Sequence, residues 1–452
     1  MLCVVALLTS AGPWARAAAQ SPVPGPGEHV DLAALAERTG RDVEPTWAGL
    51  QPRRESEHDY DPDLTSSENA AQLAAAIAEL RPGSRLWIGE GTWSFSAAFE
   101  ISLVGSADAP IWIEARDGER VRITRVDDRQ NLINVGTPSH GPSRYLCLRG
   151  LELTGGSAGI RLHQCREVWI DRCEIHHTGE AALTANTYDT SRLFITRNHI
   201  HHTSGYGEGM YLGANNAKVV MSQSVIAANH VHDCAGHQGD GIELKQGSWG
   251  NWIVGNTVHD TQYPCVLVYG TGGKPANLIE RNILWGSESV VLQVQGEAIV
   301  RNNLIMAGGL GFHSHDHQGE TRDLVLVHNT IVTSGLAADL HSWNDRPGMV
   351  FANNAVYSKD GTAVAAENGT EGVVFAGNVA FGAVEGVPSA GFRSGRGLTD
   401  FRSISWDARR RDSRPARVSA LKGSGDRRFA VWGDLLGLEW GSQVGAGCSA
   451  DR

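Results

Sequence analysis

Four short stretches decide the fold: Ile195-Thr-Arg-Asn198, Ile253-Val-Gly-Asn256, Ile279-Glu-Arg-Asn282 and Val325-Leu-Val-His-Asn329. Each is a β-rich run that ends on Asn and is followed by apolar residues and a turn. The phrase recurs from about residue 145 onward. Its marker positions are Gly150, Cys173, Asn198, Asn229, Asn256, Asn282, Asn303, Asn329, Asn354 and Asn378, spaced 21 to 31 residues apart. A period near 25 with short strands and no helical periodicity predicts a parallel β-helix. Leucine-rich repeats share the period, but their leucine pattern is absent. An Asn in this position is expected to take the left-handed turn conformation and to hydrogen-bond the same Asn on the next coil. The ladder residues are therefore read as structural.

Outward from the repeats, the segment before them predicts a cap. Ser66 or Ser67 can start a helix with Glu68 in its first turn, and Leu73, Ile77 and Leu80 supply one apolar face. Pro82-Gly83 ends it and Leu86-Trp87-Ile88 opens a strand. A helix laid over an open end covers strand edges, as solenoids require. The fold class is thus all-β, a right-handed parallel β-helix with an N-terminal capping helix. It is expected over residues 63–390, with an irregular C-terminal cap over 391–452. Residues 20–62 are proline-rich and read as a linker or disordered arm. The apolar run Leu2 to Leu8 before Ala15-Arg-Ala-Ala-Ala19 reads as a secretory signal peptide over 1–19, which places the protein outside the cytoplasm, secreted or periplasmic.

Composition narrows the function. The chain has 452 residues, 39 Lys+Arg against 50 Asp+Glu, and a net charge of -11. A basic footprint for nucleic acid is missing. No apolar run reaches the eighteen residues of a membrane span. The 54 glycines follow no collagen period. Six cysteines remain beyond Cys3; they could pair in disulfides, none shows zinc-module spacing, and they read mostly as small buried residues.

Each coil also carries a strand after its turn. Alignment gives Gly159-Ile-Arg-Leu-His163, Ala182-Leu-Thr-Ala-Asn186, Gly209-Met-Tyr-Leu-Gly213, Gly241-Ile-Glu-Leu-Lys245, Cys265-Val-Leu-Val-Tyr269, Ser289-Val-Val-Leu-Gln293, Gly311-Phe-His-Ser-His315 and Ala337-Ala-Asp-Leu-His341. Alternation turns the aliphatic residues inward. Outward it leaves Arg161, His163, Tyr211, Glu243, Lys245, Tyr269, Gln293, His313, His315, Asp339 and His341. Coils stack about 4.8 Å apart, so these side chains form a two-column stripe suited to carbohydrate contact and proton transfer. Its strongest element is Gly239-Asp-Gly-Ile-Glu-Leu-Lys245. Eliminating across a uronate bond requires a base and a cation against the carboxylate. Lys245 is the expected base, with His315, Tyr269 and His341 as further catalytic candidates. Arg161, His163, Tyr211, Gln293 and His313 are the expected substrate contacts. Asp240 and Glu243 are candidate calcium ligands. Alternatively, His313, His315, His317, Asp339 and His341 form a candidate transition-metal set. The recurring pairs His176-His177, His201-His202, His232-Asp233 and His259-Asp260 follow the ladder in register and read as stacked structural positions.

Arg81-Pro-Gly-Ser-Arg-Leu-Trp-Ile-Gly-Glu-Gly-Thr-Trp93 and Gly105-Ser-Ala-Asp-Ala-Pro-Ile-Trp-Ile113 resemble the opening of secreted right-handed β-helix proteins, among them the family six polysaccharide lyases. The resemblance covers roughly residues 65–390. It implies a carbohydrate-active protein, foremost a lyase on an acidic, uronate-containing polysaccharide, working as a monomer. Asp240-Gly-Ile-Glu243 is also similar to the acidic calcium motif of family nine pectate lyases. The Arg-His-Gly of family six is replaced here by Val268-Tyr-Gly270. A glycoside hydrolase or epimerase using Glu243 with Asp240 or Asp339 is an alternative, as is a non-catalytic polysaccharide-binding or adhesion protein.

Overall fold

The structure is a computed structural model that describes residues 36–37, 40–437, 439–440 and 443–451. The expected signal peptide lies outside the described residues. The chain divides into two units, Asp42–Trp252 and Ile253–Arg452 with Met1–Arg41. They are called here the N-terminal and C-terminal units.

Both units are right-handed parallel β-helix. In the N-terminal unit one coil contains the strands Cys165–Asp171, Glu174–His176 and Leu183–Ala185. The next contains Phe194–Thr196, His199–Thr203 and Met210–Leu212, and the next Val225–Ala227, His230–Cys234 and Ile242–Leu244. Each strand pairs in parallel with its counterpart one coil on. Register puts like on like: Ile170, Ile195 and Ile226 stack, as do Ile175, Ile200 and Val231, and Leu183, Met210 and Ile242. All nine are buried at 0% exposure, which makes these columns the core of the coil. The C-terminal unit repeats the pattern, for example in Ala298–Arg301, Leu304–Met306 and Leu310–Ser314.

The Asn ladder forms as expected, with one correction. Asn282 donates from its backbone N–H (3.0 Å) and Nδ2 (2.9 Å) to Oδ1 of Asn303, and Asn303 does the same to Asn329 (3.1 and 2.9 Å). The left-handed residue is not the Asn but the one before it: Arg197, Ala228, Arg281, Asn302, His328 and Asn353 have φ between 54° and 56°. Gly150, at φ 71°, occupies that preceding position, so it is not a ladder residue. The backbone bends one residue early, and this frees the Asn amide to span two coils.

The helix Ser66–Ala78 packs on Gly91–Ser94 and Phe99–Ile101. Its cap is Thr65 rather than Ser66 or Ser67, with a reciprocal Thr65–Glu68 capping box. Leu73 and Ile77 are buried.

Two segments differ from expectation. Residues 42–62, read as part of a linker, are built into the fold. Arg54–His58 is a strand paired with Ser84–Ile88, and Trp47 lies edge-on to Trp169 at 5.9 Å. Arg54–His58 is an edge strand with exposed side chains, so no apolar alternation marks it in the sequence. The C-terminal tail does more than close an end. Phe401, Ile404, Leu421, Leu435 and Cys448 pack on Ile283, Leu304, Met306, Val332 and Tyr357. Those are outward positions of second strands in the coils, apolar in this unit and in need of cover. The Arg411 guanidinium lies 4.3 Å over the Trp285 ring. The six described cysteines are all buried, as the sequence suggests for most of them, and none is joined in a disulfide.

Asn303→Ala removes the acceptor for two donors of Asn282 and strands the Ile279 carbonyl. A loss of about 2–4 kcal/mol in urea-induced unfolding is expected. A change below about 0.5 kcal/mol would show the ladder to be dispensable.

Candidate active site

The third strands of the N-terminal unit bring Arg161, Thr184, Tyr211 and Glu243 into one column. The alternation Ile160-Arg-Leu, Leu183-Thr-Ala, Met210-Tyr-Leu and Ile242-Glu-Leu turns the flanking residues into the core and this column away from it. Arg161, Thr184 and Tyr211 line a groove of about 320 Å³, together with Glu208 and with Tyr206 and Gln238 from the loop before each strand. Lys245 and Glu243 are not among its lining residues.

Charge in this region is concentrated and buried. Glu208, Asp240, Glu243 and Lys245 are exposed by only 3%, 3%, 2% and 4%. The Lys245 ammonium is paired with the Glu243 carboxylate and lies 4.6 Å over the Tyr211 ring. One cation cannot offset three carboxyls, and burial penalises each of them. Desolvation raises Glu208 to about 7, with Glu243 adding to the rise. Asp240 is pushed well up by burial and then by Glu243 and Glu208. Glu243 is raised by burial against the pull of Lys245. The Tyr211 phenol is raised by burial and by the same acids, so it stays protonated. Asp240 Oδ1 and Glu243 Oε2 are buried without a hydrogen-bond partner. Arg161 makes no hydrogen bond or ion pair with any described residue, and burial lowers it. His163, two residues on, is half-buried with both ring nitrogens unpartnered and is likewise lowered.

Glu208 escapes the sequence alignment because the aligned strands start one residue later. The signal was present: Gly207-Glu-Gly-Met210 repeats as Gly239-Asp-Gly-Ile242. Gly209 N–H donates to the Asp240 carbonyl (2.8 Å), which fixes the two acids one coil apart. Gly207 has φ +82°, and a Cβ there would lie 1.9 Å from the Ala235 carbonyl oxygen, so only glycine fits beside Glu208.

The remaining candidates lie in the C-terminal unit. Gln293, His313 and Asp339 stack in one column. His313 Nδ1 lies 2.9 Å from Asp339 Oδ2. The His313 and His315 rings stack at 4.5 Å, and His317 lies 5.5 Å from His315 and 5.4 Å from Tyr269. Burial and then His313 lower His315 to about 4. Tyr269 is buried at 4% exposure rather than presented to solvent. His341 contacts Ser342 (3.1 Å) and Asn368 (3.3 Å). Among the described residues, the groups of three ligand atoms within 4.8 Å of one another draw on Glu152, Glu174, His176, His199, His201, His230 and His232. All of these belong to the N-terminal unit.

A second groove, of about 440 Å³, includes Arg149, Trp169 and Arg197. Its charges are matched internally. Arg149 bridges Glu114 (2.7 Å) and Asp171 (2.8 Å), and Arg197 holds the other Asp171 oxygen (2.7 Å).

A sequence-family profile described as "Right handed beta helix region" matches residues 121–282. No curated relative matches the chain in sequence. Among solved structures, XylC in complex with xylose is similar with a TM-score of 0.58 at 10% identity, over 87% of this chain and 98% of that one. Pectate lyase Pel9A is similar with a TM-score of 0.47 at 14% identity, over 90% and 99% of the two chains. An alginate lyase from Paenibacillus sp. str. FPU-7 gives 0.41 at 18% identity, over 76% and 98%. Coil topology, ladder and profile together make this chain a right-handed parallel β-helix repeat protein.

Proposed function

We propose that the protein is a polysaccharide lyase that cleaves a uronate-containing polymer by β-elimination in the groove of the N-terminal unit. The observation that carries this reading is Arg161, a groove-lining guanidinium with no acid partner of its own. A bidentate pair with the uronate carboxylate satisfies it and withdraws charge from the carbon that loses its proton. Glu208 faces the same groove with a value near 7, which suits a general base at neutral pH. In this reading its carboxylate takes the proton next to the uronate carboxyl. The electron pair left behind forms the carbon–carbon double bond, and the glycosidic C–O bond breaks. The Tyr211 phenol gives its proton to the leaving oxygen. Lys245, the base expected from sequence, balances Glu243 and steadies the Tyr211 ring. It remains the alternative base. Asp240 and Glu243 fit a calcium site, because each holds a buried carboxylate oxygen without a partner. Calcium bound there would offset the excess buried negative charge beside Glu208.

The test is ultraviolet absorbance of the unsaturated product with a panel of uronate polymers, with and without chelator. Product is expected from at least one polymer. Arg161→Ala and Glu208→Gln are each expected to lower kcat/KM by about 100-fold or more. Loss in Lys245→Ala with activity retained in Glu208→Gln would move the base to Lys245. Absence of unsaturated product from every polymer would sink the lyase reading.

One observation favours a second reading. A protonated Glu208 beside buried Asp240 is a carboxyl pair of the kind a glycoside hydrolase uses. New reducing ends without ultraviolet absorbance would establish it.

Glu208 also carries a stability signature. Its folded value, about 7, lies above the ordinary 4.5. The folded state holds a proton that the unfolded chain has lost, so this contribution declines as pH rises through that interval and stays lost above it. Glu208→Gln is expected to shrink the fall in unfolding free energy between about pH 5 and about pH 8 by up to about 3 kcal/mol. Equal pH slopes in the two proteins would show Glu208 to titrate normally.

A further inference from the structure

The second strands of the N-terminal unit carry a bank of imidazoles that the proposed reaction does not use. His199 pairs with His230 and His201 with His232 across neighbouring coils, so four rings form a two-by-two array. His199 and His230 stack at 5.0 Å and 2°, and His201 and His232 at 5.0 Å and 7°. The structural reading of such rows, stacking in register, is therefore correct as far as it goes. It does not account for the diagonal. His199 Nε2 and His232 Nε2 approach to 2.8 Å, and one ring nitrogen each of His199, His230 and His232 lies within 4.8 Å of the other two.

The far sides of the two diagonal rings decide what that approach means. His232 Nδ1 lies 2.6 Å from Asp233 Oδ2, so Nδ1 carries a proton, and in the neutral tautomer the Nε2 lone pair faces His199. His199 Nδ1 faces Glu174 Oε1 at 3.8 Å. A proton on His199 Nδ1 suits that carboxylate and leaves its Nε2 lone pair pointing at His232. A proton on Nε2 would close the 2.8 Å contact but would turn the Nδ1 lone pair toward Glu174. Carboxylates behind imidazoles, with unprotonated nitrogens converging in front, is the arrangement that orients metal-ligating histidines.

We propose that His199, His230 and His232 form a binding site for a divalent transition metal of the zinc type, with one coordination position open. Ligand nitrogens on a tetrahedral ion stand about 3.3 Å apart, within reach of small ring rotations here. Three imidazole nitrogen donors select such an ion over calcium or magnesium, which take oxygen ligands. Half-buried positions give the ion access from solvent. The neighbouring carboxylate Glu152 does not compete, since Arg120 and Arg122 already hold it. The site is separate from the groove and does not rest on the lyase reading.

The experiment titrates the full, chelator-stripped chain with Co²⁺ and Zn²⁺, read by visible absorbance and calorimetry. One equivalent is expected to bind with tetrahedral cobalt absorbance. His199→Gln and His232→Gln are each expected to weaken it about 100-fold or more, and Asp233→Asn about 10-fold. His177→Gln, on the same face but outside the trio, is expected to change it less than about 3-fold. Weak binding of several equivalents, unmoved by either trio variant, would overturn the proposal. X-ray absorption of the zinc-loaded wild-type chain gives a second readout that does not depend on the variants folding. Three imidazole neighbours are expected, and one or none refutes the site.

Discussion

Within each unit the coils depend on one another for their backbone hydrogen bonds, and the tightest expression of that dependence is the buried Asn ladder. Within the C-terminal unit Asn282, Asn303, Asn329 and Asn354 each accept two hydrogen bonds at Oδ1 from the preceding ladder Asn and donate two, one from the backbone N–H and one from Nδ2, to the next. Such a link is self-complementary only if the amides stand one coil apart and in the same rotamer. A slip of one residue would break it and would turn every core side chain outward. The left-handed residue before each Asn makes the bend that allows this. It is filled by Arg, Ala, His and Asn as well as Gly, so coil-to-coil bonding outweighs the local cost of positive φ.

Because register is fixed, each strand position becomes a column, and a column's chemistry can change along the chain without disturbing the fold. First strands carry Glu114, Arg149 and Asp171 in one column, with Arg197 just past the next strand closing on Asp171 and Arg149 stacked 4.4 Å over Trp169. That column neutralises itself. Second strands carry Glu and His in the N-terminal unit and apolar residues beneath the tail in the C-terminal unit. Third strands carry the column in which charge is left unmatched, with acids in excess at one end and an unpaired guanidinium at the other. Unmatched buried charge costs stability, and it is on this column that the proposed site is built.

The repeat, the alternation and the capping helix were legible in sequence because they are periodic or local. Arg161, Tyr211, Glu243 and Lys245 were found by alternation alone. What alternation cannot tell is whether a residue turned away from the core meets water. Lys245, Glu243 and Tyr269 are outward on their strands yet buried. Glu208 lies just before a strand, where no pattern of two applies. Arg54–His58 hides because an edge strand with exposed side chains has no apolar face. The tail hides because its partners, Ile283, Leu304 and Met306, look like ordinary core residues until the coil is closed.

Stacking in register also limits which side chains a column can hold. Asn stacks well, since each amide carries both donor and acceptor, and aliphatic residues stack because they only need contact. Ionisable groups do not stack in one charge state, because like charges about 5 Å apart repel. The protein meets this limit in three ways. Acids alternate with arginines on the first strands. On the second strands burial pushes His199 and His201 toward the neutral form, His199 to about 4 with His201 and His232 adding to the effect. Just before the third strand Met210–Leu212, Glu208 keeps its proton to near neutrality, with Glu243 adding to the effect of burial. The first solution is inert, because the charges are spent on each other. The other two leave lone pairs and exchangeable protons in place, and the proposed groove chemistry and the proposed metal site both draw on columns that repeat a titratable residue without alternating its sign.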